Sequence, residues 1–125
     1  MSSHSDSNAQ DQDFRPLSDL EEQLLTVLLS TDFSGRDVLV EQVAVASVRE
    51  IDDNGSLEFA PSDKKPAEVV RRIPVEAELD DSDGITIHLL LHVVDGLLKE
   101  LEVYRDDSGH VQRVLVPGDL RLLVL

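Results

Sequence analysis

Two histidines and two glutamates between Gly84 and Arg105 are the side chains best suited to chemistry in this chain: His88 and His92 four positions apart, then Glu100 and Glu102. A histidine beside a carboxylate can act as an oriented general base, and imidazole with carboxylate is also a ligand set for a metal ion. A small hydrolase or metal-dependent enzyme is one interpretation. Spacing weighs against it, because residues i and i+4 of a strand stand about 13 Å apart, too far for His88 and His92 to share a metal. A solvated cross-strand pairing of imidazole with carboxylate accounts for the same residues. No catalytic residue, metal or cofactor is therefore assigned.

The element that must position them is a β-hairpin. Ile85, Ile87, Leu89, Leu91 and Val93 alternate with other residues, Asp95-Gly96 supplies a turn, and Leu101 and Val103 alternate on the return. A two-residue Asp95-Gly96 loop would set Leu91 against Glu100 and Leu89 against Glu102, burying carboxylates among leucines at a cost on the order of several kcal/mol. A three-residue loop, Val94-Asp95-Gly96, instead pairs Leu89 with Leu101 and Ile87 with Val103. It gives Gly96 a left-handed bulge position and leaves Lys99 opposite Leu91. In that register His88 lies across from Glu102 and His92 diagonal to Glu100. Glu76, Glu78, Thr86, Leu90 and Tyr104 share their face, an acidic surface with a few apolar and aromatic members.

Around the hairpin the chain predicts helices first and strands after. Ser18-Asp19-Leu20-Glu21 has the capping-box pattern, and Leu20, Leu24, Val27 and Leu28 recur at helical spacing behind it. Ser34 followed by Asp37 repeats the capping logic for a short second helix ending near Val43. Asp53-Asn54-Gly55 turns between strands at Val45 to Asp52 and Ser56 to Ala60. Ile73, Val75, Ala77 and Leu79 alternate with Pro74, Glu76 and Glu78 in a third strand, where Pro74 favours an edge or a backbone position that points away from its neighbour. A last strand is expected at Val111 to Val116, and the apolar end, Leu120 to Leu125, is expected to pack.

Three turns rich in Asp and Gly invite a calcium interpretation. Counting back from Gly84, Gly55 or Gly109 places Leu79, Glu50 or Tyr104 where the first ligand of an EF-hand loop belongs, and no Glu follows at the closing position. Asp, Asn and Gly are also what hairpin turns require. Gly-x-Ser-x-Gly, a phosphate-binding Gly-rich loop, His-Glu-x-x-His and a dinucleotide fingerprint are absent.

Composition narrows the partners. The 125 residues carry 26 acidic and 11 basic side chains, a net charge of -15, which repels phosphate backbones and anionic lipid. Neither nucleic acid nor membrane is expected as a partner; a basic protein surface or a cation is favoured electrostatically, and excess charge that merely keeps the domain soluble accounts for the same composition. The hydrophobic fraction of 41% suffices for a core built mainly of Leu and Val. With no Cys, nothing calls for an oxidising compartment, and a reducing cytoplasm is expected. Residues 1–13 lack the features of a secretory signal and are expected to be a disordered tail.

Phe14-Arg15-Pro16-Leu17-Ser18, Phe33-Ser34-Gly35-Arg36, Gly55-Ser56-Leu57-Glu58-Phe59 and above all Val94 to Arg105 resemble small bacterial, often actinobacterial, domains of unknown function. The resemblance covers about Phe14 to Leu115. It implies a cytoplasmic bacterial protein and the α+β order, and it brings no catalytic residues with it.

The chain is thus expected to form a single α+β domain over residues 14–125, with two N-terminal helices on one face of an antiparallel, mostly meander sheet of about five strands. The expected function is non-catalytic recognition of a basic protein, immunity- or antitoxin-like, through His88, Leu90, His92, Glu100, Glu102 and Tyr104. The alternative is the hydrolase or metal-dependent enzyme built on His88, His92, Glu100 and Glu102. A homodimer through the apolar C-terminal segment is a further expectation.

Overall fold

In the computed structural model, which describes residues 14–124, helix α1 spans Asp19–Leu28. The predicted disordered tail lies outside the described residues. The helix begins with the predicted capping box: the Glu21 N–H donates to Ser18 Oγ at 3.2 Å and the Ser18 N–H to Glu21 Oε1 at 2.9 Å. Arg15 clasps the same carboxylate at 2.7 and 2.8 Å, holding it below the ordinary carboxyl range against the opposing effect of burial. Leu24, Leu25 and Leu28 are buried. Leu20, the first residue of the expected apolar stripe, is exposed, because it falls on the margin of a stripe centred on Leu25 and Leu28.

Helix α2 spans Arg36–Ala44, and its cap corrects the sequence expectation. Gly35, with φ 87°, is the N-cap, while the Ser34 hydroxyl donates to the Glu68 carbonyl at 2.9 Å. A Cβ at position 35 would come within 2.9 Å of the Val69 side chain, so glycine is required both for the left-handed turn and for the close approach.

Among the described residues the sheet has seven strands, not about five: β1 (Arg15–Pro16), β2 (Ser47–Glu50), β3 (Leu57–Phe59), β4 (Val75–Asp80), β5 (Thr86–Val94), β6 (Leu97–Arg105) and β7 (Arg121–Val124). They run in the order β1-β2-β3-β6-β5-β4-β7 with every neighbouring pair antiparallel. A two-residue β1 is too short to leave a period in the sequence. The expected strand at Val111 to Val116 is absent because side chains claim its amides: Val111 N–H donates to Asn54 Oδ1 and Gln112 N–H to Asp81 Oδ2, both at 2.9 Å. The sheet resumes after a 3-10 turn at Pro117–Asp119, and β7 covers the edge of β4 beside which Pro74 sits.

Along β4, β5 and β6 the alternation predicted from sequence holds: Val75, Ala77, Leu79, Ile87, Leu89, Leu91, Leu101 and Val103 are buried in one core with Leu25, Leu28 and Leu39 of the helices. The hairpin register does not. Asp95 (φ 54°) and Gly96 (φ 77°) form a two-residue turn with both residues left-handed, the geometry that matches strand twist, so the three-residue loop is overturned. Parity is restored by a β-bulge instead. Val93 pairs with Leu98 but His92 pairs with Glu100, leaving Lys99 as the extra residue. Leu91 then faces Leu101 and Leu89 faces Val103, two residues away from the expected pairing.

Candidate functional site

The six predicted site residues stand on the sheet face turned away from the core, His88, Leu90 and His92 from β5 and Glu100, Glu102 and Tyr104 from β6. The bulge changes who meets whom. His88 faces Tyr104, not Glu102, and the rings stack at 4.8 Å between centroids with an interplanar angle of 18°. Its Nε2 contacts Asp106 Oδ1 in the turn after β6, and its Nδ1 lies 3.7 Å from Glu78 Oε2 on β4. His92 sits directly opposite Glu100, not diagonal to it, yet its Nε2 meets Glu102 Oε1 at 2.9 Å while its Nδ1 is buried without a hydrogen-bond partner among the described residues. Leu90 lies between Glu76 on β4 and Glu102 on β6.

The face thus holds two separate imidazole–carboxylate groups. The constellation of Glu76, Glu78, Glu102 and Asp106 has one clear electrostatic signature: burial first, then those carboxylates, raises the Tyr104 phenol above its ordinary pKa. Cations answer only the margins. Arg49 and Lys99 reach Glu58 at 2.9 and 4.0 Å, and Arg121 reaches Asp80 at 3.0 Å and Glu78 at 3.8 Å. Among the described residues no group of three or more His, Cys, Asp or Glu could hold a metal ion, and no helix is long and apolar enough to cross a membrane. A groove of about 200 Å³ lies elsewhere, between the end of α2 and β3, walled by Gln42, Phe59, Pro61 and Leu98. None of the six residues lines it.

Two residues that organise this architecture were not singled out from sequence. Arg105, buried at the end of β6, donates to Asp81 at 2.8 Å, to Asp83 at 3.0 and 3.2 Å, and to Asp107 at 2.7 and 2.9 Å. For two of the three acidic turns, those ending at Gly84 and Gly109, the cation is therefore a guanidinium of the chain itself. Hydrogen bonds to Asp107 and Asp83 raise the Arg105 pKa further, and the reciprocal bonds with the Gly109 N–H hold Asp107 down at about 2. Burial by itself pushes Asp81 up, but the amides of Gln112 and Ser82 together with Arg105 leave it below its ordinary value. The sequence does contain the signal: Arg105 continues the inward row of Leu101 and Val103, where a charge requires partners.

Gln42 is the second. Its amide nitrogen donates to Gly96 O at 2.9 Å and Lys65 O at 3.0 Å, and its oxygen accepts from the Leu98 N–H at 3.0 Å, tying α2 to the hairpin tip. Its place beside Leu39 and Val43 on the buried side of the helix was the available clue.

No curated protein and no solved structure matches the chain. A family model does match, over residues 14–115, which takes in both helices and strands β1 to β6 and leaves β7 outside. The chain belongs to that family of small domains, described as a domain of unknown function (DUF6984).

Proposed function

We propose that the outer sheet face is a non-catalytic recognition surface for a basic protein, in an immunity- or antitoxin-like role. The observation that carries this is the composition of the face: carboxylates of Glu76, Glu78, Glu100 and Glu102 surround Leu90 and the half-exposed ring of Tyr104, and the helices pack on the other side. Neither Glu76 nor Glu100 has an ion-pair partner among the described residues, so a cationic partner finds charge that is not already neutralised. Tyr104 and Leu90 supply the apolar contact that a purely electrostatic encounter lacks. A single domain over residues 14–125 and residence in the bacterial cytoplasm belong to the same proposal.

Titration calorimetry with a lysine-rich peptide tests it. Glu100→Lys with Glu102→Lys should weaken binding at least about tenfold, equivalent to about 1.4 kcal/mol. Glu22→Lys with Glu41→Lys makes the same charge change on the helices and should leave affinity within about twofold. Equal losses in both pairs would show that net charge, and not this face, is what the peptide reads.

A further inference from the structure

Seven of the eleven Lys and Arg side chains have a carboxylate within 4.0 Å. The four that have none among the described residues are Lys64, Lys65, Arg71 and Arg72, all in the segment joining β3 to β4. In a chain of net charge -15 this segment sets four cations against only Asp63 and Glu68, with Val70, 87% exposed, beside the two arginines.

The segment has no helix or strand, yet its main chain is pinned. Ala67 N–H donates to Gly96 O at 2.8 Å and Val93 N–H to Arg72 O at 2.7 Å. The carbonyls of Lys65 and Glu68 accept from Gln42 and Ser34, and Ala67 is buried. These anchors belong to the hairpin tip and the helix layer, so the backbone is held while the charged ends and Val70 face solvent. A surface presented this way loses little further freedom on docking.

We propose that this basic segment docks on the acidic outer sheet face of a second copy of the chain, head to tail. The inference rests on the outer face being a recognition surface and names its partner. Charge complementarity selects the occupant: among the described residues Lys64, Lys65, Arg71 and Arg72 have no carboxylate within 4.0 Å, and Glu76 and Glu100 have no cation. Whole copies repel one another through their net charge, but at 0.15 M salt the screening length is about 8 Å and the contact responds to its immediate neighbours. Association therefore peaks near that salt. It weakens near 0.01 M, where repulsion reaches about 30 Å, and is lost near 1 M, where screening at about 3 Å removes the pairing.

Sedimentation velocity on the full chain up to about 500 µM tests this, a range that reveals contacts in the micromolar to submillimolar class. The wild type should form dimers and longer species, because a head-to-tail contact leaves a free loop and a free face at the ends. A loop variant (Lys64→Gln, Lys65→Gln, Arg71→Gln, Arg72→Gln) and a face variant (Glu100→Lys, Glu102→Lys) should each be monomeric with unchanged melting temperature. Mixed one to one they should form a dimer that grows no further, since only one loop and one face remain competent. A wild type monomeric across the salt series, a loop variant that still associates, or a mixture that stays monomeric overturns the proposal. A lysine-rich peptide that still binds the wild-type face in the first case leaves the recognition reading standing and removes only its self-partner.

Discussion

Replacing Gln42 by Leu and by Glu separates the two roles of one buried amide. Gln42 is 4% exposed, and its three hydrogen bonds reach Lys65 O, Gly96 O and the Leu98 N–H. Gln42→Leu orphans the Leu98 N–H in a buried place, which costs about 1–3 kcal/mol. Lys65 is exposed and its carbonyl rehydrates, while Gly96 O keeps the Ala67 N–H at 2.8 Å. Added apolar burial returns up to about 1 kcal/mol, so the net loss with that return is about 0–2 kcal/mol. Gln42→Glu keeps an acceptor for Leu98 but turns an anionic oxygen toward the Lys65 and Gly96 carbonyls, to which it has no hydrogen to donate. An uncompensated buried charge costs about 3–5 kcal/mol at pH 7. Protonated, the same carboxyl donates to one carbonyl and most of the loss disappears.

The introduced carboxyl thus has a raised pKa in the folded state. Relative to wild type, its penalty is small below the unfolded value of about 4.3 and grows by about 1.4 kcal/mol per pH unit above it until the folded pKa is passed. Urea denaturation of the three proteins from pH 4.5 to 7.5 reads both effects. A Gln42→Glu protein no less stable than Gln42→Leu at pH 7, with a pH-independent difference from wild type, would refute the donor role of the amide.

Gly96→Ala should cost more than about 2 kcal/mol, since it adds a Cβ 2.5 Å from Ala67 O to left-handed strain, whereas Gly84→Ala at φ 89° meets nothing within 4 Å and should cost about 1 kcal/mol. Equal melting temperatures for the two would contradict the close approach. Asp107, held at about 2 chiefly by Arg105, contributes stability that is complete above its unfolded value and is lost as pH falls through about 2. Acid unfolding should therefore be flatter between pH 4 and 2 in Arg105→Met, which is less stable at pH 7; an unchanged acid slope is the contrary result. Leu89→Asp, at a fully buried position, should abolish the cooperative thermal transition while His88→Ala keeps it. Comparable melting of the two would reverse the assignment of faces.

The faces of β4, β5 and β6 were legible because a period of two survives any choice of loop. Register was not. A three-residue loop, and a two-residue turn followed by a bulge, both bury Leu101 and Val103 against the β5 row, but they set cross-strand partners two residues apart and differ in whether Lys99 or Leu98 lies inward. The candidate site inherits that ambiguity: its six residues share a face as expected from alternation, but His88 meets Tyr104 and Asp106 where Glu102 was expected. Asp106 was unreadable as a partner because it belongs to the turn beyond the hairpin. The edge strands were hidden for different reasons, β1 by its brevity and β7 because an apolar stretch as short as Leu120 to Leu125 signals packing without saying against what.

The bulge at Lys99 also decides where the β3–β6 ladder stops. Pairing ends at Glu58 opposite Glu100, and beyond it Phe59 and Leu98 diverge to wall the groove beside α2. Without residue 99, Leu98 and Glu100 would follow one another as inward and outward neighbours in an unbroken alternation, and nothing would force the two strands apart. Deleting Lys99 removes the extra residue from the pairing and should let the β3–β6 ladder run on past Glu58 toward the groove.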